Sequence, residues 1–123
     1  MQVVREQLAA NPEQWRALLN SDAPWVIRNE ANWKALLATE YNPLKGVDQE
    51  VVQAFTDGLV FNNGGLAGAN YTMIKDIISA DQFYRLWEHF GLAHSLAKDY
   101  EDYQCVGRGN CKRWIGYICT SNC

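Results

Sequence analysis

The chain predicts an all-α fold, five or six short helices in one compact body, closed by a small disulfide-constrained C-terminal hairpin or loop. Three observations carry this. Helix-start signals recur along residues 1–104, apolar residues follow each at three- and four-residue spacing, and all four cysteines, Cys105, Cys111, Cys119 and Cys123, lie in the last 19 of 123 residues. Charge divides at the same point. Residues 1–104 carry eight Lys/Arg against fourteen Asp/Glu, whereas 105–123 carry Arg108, Lys112 and Arg113 and no acid. An acidic, cysteine-free body thus precedes a cationic, cysteine-rich tail.

Asn11-Pro12-Glu13-Gln14 supplies an N-cap, a proline at the first helical position and a Gln able to reach back, so a helix is expected over about 12–20 with Trp15, Leu18 and Leu19 inward. Eighteen residues later the pattern returns at Asn29, with Trp33, Leu36 and Leu37 in the matching places. The repeat spans 11–22 and 29–40, and each copy runs into a proline, Pro24 or Pro43. Packing both Trp-Leu-Leu faces into one core is the main reading, and a paired docking surface for a partner is the sharper one. Asp48 caps a third helix bearing Val51, Val52, Phe55 and Leu59. The glycine-rich stretch 62–70 reads as an interhelical loop. Met73, Ile74, Ile77 and Ile78 mark a fourth helix. Ser79-Ala80-Asp81-Gln82 is a capping box opening a fifth, with Phe83, Leu86, Trp87 and Phe90 as its stripe. Leu92, Leu96 and the acidic run to Tyr103 predict one more short helix. In the tail, residues 106–110 form a turn-rich loop and 113–118 have the composition of a strand, giving a stapled hairpin whose cysteines allow three pairings.

Composition limits the functional classes. Apolar residues at 48%, with fifteen aromatics, offer enough burial to oppose chain entropy and exclude intrinsic disorder. No apolar run approaches the ~20 residues of a membrane-spanning helix. The N-terminus lacks the long apolar region of a secretory signal, so synthesis in the cytoplasm without a standard signal peptide is expected. That sits against the oxidising compartment an even cysteine count implies; export by a dedicated route reconciles the two, and otherwise the chain stays cytoplasmic with its thiols used for something other than disulfides. A net charge of −3 and a basic cluster of only three residues give no nucleic-acid partner.

Catalytic chemistry has no sequence basis. The cysteines are separated by five, seven and three residues, unlike the close pairs of structural zinc sites, and His89 reads as a helix-packing histidine, so no metal or other cofactor is expected. Four thiols in a glycine-containing end make a poor rigid nucleophile site, and the carboxylates are caps or solvated faces, so no enzyme is expected. Gly64-Gly65-x-x-Gly68 lacks the Lys and Ser/Thr of a phosphate loop. The mix of Arg108, Lys112, Arg113, Trp114 and Tyr117 suits an anionic membrane surface or an acidic protein target.

The helical acidic body ahead of a cysteine-rich end, the Asn11-Pro12-Glu13-Gln14-Trp15-Arg16-Ala17-Leu18-Leu19 segment and the Gly64-Gly65 pair resemble precursors of ribosomally synthesised, modified bacterial peptides with a nitrile-hydratase-like leader. The resemblance implies a leader that binds maturation and export machinery, processing near Gly64 and Gly65, and release of a cationic cysteine-rich peptide with antimicrobial, toxin or signalling action. Only Thr120 and Ser121 could be dehydrated in the tail, so disulfides fit four thiols better than thioether rings. The alternative expectation is an intact helical protein-interaction module whose tail is a disulfide clasp.

Overall fold

The structure, a computed structural model, describes residues 2–123. After a 3-10 turn at Arg5–Gln7, the helices are α1 (Pro12–Leu19), α2 (Glu30–Leu37), α3 (Gln49–Asp57), α4 (Thr72–Lys75), α5 (Ala80–Glu88) and α6 (His94–Tyr100). Four strands, β1 (Val60–Asn62), β2 (Gly65–Asn70), β3 (Glu101–Gly107) and β4 (Asn110–Cys119), form one antiparallel sheet in the order β1-β2-β4-β3. The all-α expectation is therefore wrong: the fold is α+β.

The internal repeat is physical as well as textual. Asn11 accepts from the Gln14 N–H at 2.8 Å and Gln14 accepts from the Ala10 N–H at 2.8 Å; Asn29 accepts from the Asn32 N–H at 2.9 Å and Asn32 from the Arg28 N–H at 3.0 Å. Each cap thus satisfies donors that a helix start leaves free. Both helices also end alike, Ser21 donating to the Leu18 carbonyl at 2.6 Å and Thr39 to that of Leu36 at 2.8 Å. The Arg28 guanidinium donates to the carbonyls of Leu19 at 2.5 Å and Ser21 at 2.8 Å, placing a cation at the negative end of α1.

Both repeats face inward. Trp33 is fully buried, stacked on Phe90 and edge-on to Phe55, each with ring centroids 5.6 Å apart. Its indole donates to Thr56 Oγ1 at 2.9 Å, and the Trp15 indole donates to the Phe90 carbonyl at 3.2 Å. Trp87 joins the same cluster through Phe55, Phe83 and Phe90. One continuous core runs from Ala9 through Trp15, Trp33, Leu66 and Trp87 to Ile118. Residues on both sides of the expected body–tail boundary share it.

Three local expectations are corrected along with the fold class. The stretch 62–70 is a hairpin: Asn63 and Gly64 take φ of 47° and 79° between the paired residues Asn62 and Gly65. Two consecutive positive φ values make a type I′ turn, whose twist suits antiparallel strands. Gly65 through Ala69 are all buried, and small side chains let β2 lie beneath its neighbours; Gly65 presses against the Leu19 side chain. The helix expected from Met73 to Ile78 is the single turn α4. The helix expected to reach Tyr103 stops at Tyr100, and β3 begins at Glu101.

β4 departs most from simple geometry. Its outer half pairs with β3 as Cys105↔Cys111, Gln104↔Lys112 and Tyr103↔Arg113, and then the register jumps to Glu101↔Ile118. Four residues, 114–117, face Asp102 alone. An extended strand would separate residues 111 and 119 by about 27 Å, yet their Cα atoms are 5.8 Å apart. β4 therefore doubles back at 114–117, and its inner half pairs with β2 as Asn70↔Tyr117, Ala69↔Ile118 and Gly68↔Cys119.

Candidate functional site

The reversal in β4 makes an apex, and half-buried polar contacts hold its base. Asp102, itself at φ 66°, accepts from the Tyr71 hydroxyl at 2.7 Å and the Gly116 N–H at 3.3 Å. The Tyr71 N–H donates to the Gly116 carbonyl at 2.8 Å. Gly116 adopts φ 93°, and a side chain there would collide with that of Thr72, so glycine is required. The Tyr71 hydroxyl holds the Asp102 carboxyl below its ordinary range, and the Gly116 N–H and the charges of Lys75 and Arg113 act in the same direction. Burial, with Asp102 alongside, pushes the Tyr71 hydroxyl well above the usual tyrosine value. It stays a donor at neutral pH and serves as a pin.

Above this base, Trp114 is 55% and Ile115 72% exposed. Trp15, Trp25, Trp33 and Trp87 are buried, so Trp114 alone among the five tryptophans meets solvent. Its ring lies edge-on to Tyr117 with centroids 6.5 Å apart. Lys112 and Arg113 are exposed beside it, with Arg113 6.0 Å from the centre of the Tyr103 ring. Lys75, from α4, lies with its Nζ 5.3 Å from the centre of the Tyr71 ring. The apex therefore pairs two outward apolar side chains with two cations, and a third, Lys75, lies at its base.

Of the sequence candidates, Lys112, Arg113, Trp114 and Tyr117 are brought together here. Arg108 is not among them: it sits in the Arg108-Gly109 turn at the opposite end of the β3–β4 hairpin. The docking-surface candidates Trp15, Leu18, Trp33 and Leu36 are buried, while Leu19 and Leu37 are half-buried against the core, so the Trp-Leu-Leu faces of the repeat turn inward. Gly64 is exposed at the hairpin turn and Gly65 is buried, so the bond between them lies in a tight turn rather than an open segment. Sequence reasoning missed Ile115, Lys75 and the Tyr71–Asp102 pin. Lys75 and Tyr71 lie some forty residues from Trp114, and only the fold joins them.

All four cysteines are oxidised, as Cys105–Cys123 and Cys111–Cys119. The inner bond ties the two ends of the reversed segment, and the outer one ties Cys123 to β3. The Sγ atoms of Cys105, Cys119 and Cys123 lie within 4.8 Å of one another, so the two bonds are adjacent.

A second polar location lies on the far side of α5, where a cavity of about 210 Å³ is lined by Arg5, Tyr41, Arg85, Glu88 and His89. Burial lowers the His89 imidazole to about 4, and its Nδ1 has no hydrogen-bond partner. Arg5 pairs with Glu88 at 3.2 Å across the cavity wall. His94 instead stacks on Tyr84 with centroids 3.8 Å apart.

Fold and apex define a small α+β protein that presents a disulfide-tied loop of mixed apolar and cationic character. Comparison with protein-family models, with curated proteins and with solved structures returns no match. Among the described residues, no helix is long and apolar enough to cross a membrane.

Proposed function

We propose that the protein is a non-enzymatic interaction module that acts as an intact fold and docks on an anionic lipid surface through the 112–117 apex. The observation that carries this is the exposure of Trp114 and Ile115 beside Lys112 and Arg113, above a base where Lys75 lies over the Tyr71 ring. Such side chains project rather than line a groove, which suits a fluid surface better than a shaped protein seat. Tryptophan favours the membrane–water interface, and each cation near an anionic leaflet adds about 1 kcal/mol. Asp102, the nearest acid along β3, turns its carboxylate inward to Tyr71 and Gly116. Glu101, the other acid of β3, accepts from the Tyr84 hydroxyl, and the remaining acids stand on the body, whose negative charge orients the apex toward such a surface.

The geometry favours an intact module over a released peptide. Ile118, Cys119 and Thr120 are buried, and the Thr120 hydroxyl donates to the Leu66 carbonyl at 2.6 Å. Freeing the tail would strip β4 from β2 and uncover that surface. The disulfides agree with work in an oxidising compartment, and the proposal includes delivery there by a dedicated export route and its machinery.

Co-sedimentation of the oxidised chain with vesicles tests it. Binding is expected with phosphatidylserine/phosphatidylcholine vesicles and not with phosphatidylcholine alone, and it weakens as salt rises. Trp114→Ala with Ile115→Ser should abolish it without changing the melting temperature by more than a few degrees. Equal binding to both vesicles, or to neither, rejects the proposal and leaves an acidic protein as the partner to seek.

A further inference from the structure

We infer that the four cysteines form a thiolate site for a zinc-class ion when their disulfides are reduced, so that the apex keeps its clasp in either redox state. Spacing along the chain, five, seven and three intervening residues, gives no hint of this. The reversal of β4 creates it. Cys105 and Cys111 are cross-strand partners, Cys119 is fixed by its pairing with Gly68, and the Cys123 carbonyl accepts from the Gly109 N–H at 2.9 Å. Backbone hydrogen bonds thus help hold all four positions, alongside the sulfur–sulfur bonds.

The sulfur positions fit the ion. Three Sγ atoms lie within 4.8 Å of one another, and the fourth, of Cys111, is bonded to one of them. A tetrahedral zinc tetrathiolate with bonds of about 2.3 Å sets its sulfurs about 3.8 Å apart. Among Cys105, Cys119 and Cys123 the gaps need to close by at most about 1 Å. Cys111, tied to this trio only through Cys119, has farther to travel, and χ1 rotation opens the bonded pairs by less than about 2 Å. Gly68 leaves room: a Cβ there would stand 3.3 Å from that of Cys105. A cavity of about 230 Å³ lined by Asp99, Tyr100, Tyr103 and Ser121 opens beside Cys111 and Cys119 and offers an entry path. Four thiolates around a divalent ion carry −2, and Arg108, Lys112 and Arg113 on the same limb oppose it. Such soft ligands select zinc over magnesium or calcium.

The chemistry balances with a phosphine as reductant. Each disulfide, one phosphine and one water give two thiols and a phosphine oxide, a two-electron transfer per bond. The ion then displaces four thiol protons to solvent.

The test reduces the full chain anaerobically with tris(2-carboxyethyl)phosphine and titrates Co²⁺, then Zn²⁺. One equivalent of Co²⁺ should produce the intense visible absorption of a tetrahedral thiolate complex, and Zn²⁺ should bleach it. Cys119→Ser should lower the affinity at least tenfold. Should the reduced chain unfold without metal, Zn²⁺ is expected to restore its helical circular dichroism. The inference is overturned by an absence of tetrahedral absorption, by affinity unchanged in Cys119→Ser, or by a reduced chain that zinc fails to refold. None of these readouts involves vesicles, so this result and that of the docking test fail independently.

Discussion

Residues 2–100 and residues 101–123 are stabilised by different means. The first region has no disulfide and relies on the burial of Trp15, Trp33, Trp87 and the phenylalanines around them. The second leaves Val106, Trp114 and Ile115 in solvent and holds its shape with two disulfides, a carboxylate–tyrosine pin and a glycine at φ 93°. Burial excludes water from one region, while cross-links let the other expose apolar side chains without collapsing around them. The body supplies most of the core, which Ile118 of the limb closes, and the limb also presents a surface.

Core truncation should break this comparison most severely. Trp33→Ala removes a fully buried indole that touches Phe55 and Phe90, so it should cost about 3–5 kcal/mol in chemical denaturation. Acid comes next. His89 is held at about 4 against an ordinary 6.5, so the folded state resists its protonation. The stability tied to it is complete above pH 6.5 and is lost as pH falls toward 4, by up to about 3 kcal/mol. His89→Gln should flatten the melting temperature across that window, and a slope unchanged in the variant would reject the assignment.

Cross-link removal should sharpen the contrast. Cys111→Ser with Cys119→Ser opens a loop of sequence separation 8, at a cost of about 2.5 kcal/mol on the chain-entropy model. Hydrogen exchange should accelerate in 112–118 while the amides of α2 and α3 keep their relative protection. The smallest effect belongs to the surface. Trp114→Ala should shift stability by less than about 0.5 kcal/mol, yet remove nearly all acrylamide-quenchable fluorescence, because the other four tryptophans are buried.

What could be read from the sequence was local. Asn11, Asn29, Asp48 and Ser79 all cap helices, because a cap is decided within four residues. The β1–β2 hairpin was also written locally, as Asn63-Gly64 between Leu59-Val60-Phe61 and Leu66. Its glycines and alanines nevertheless resemble a loop, since a strand squeezed between neighbours needs small side chains rather than branched ones. The reversal of β4 was not legible. It depends on Tyr71 meeting Asp102 across thirty-one positions, and no short window contains both. The adjacency of the cysteines follows from that reversal and was hidden with it.

The strand order bears on how the protein is made. β4 lies between β2 and β3 although it is the last strand in the chain, and its Ile118 closes the core that Leu66 and Ala69 begin. A ribosome-bound chain that has not yet exposed residue 119 can assemble α1 through α6 but has no inner neighbour for β2. Folding should therefore finish only after this stretch has emerged, in a single late step, and during elongation the β2 edge stands open to chaperones and to other nascent chains.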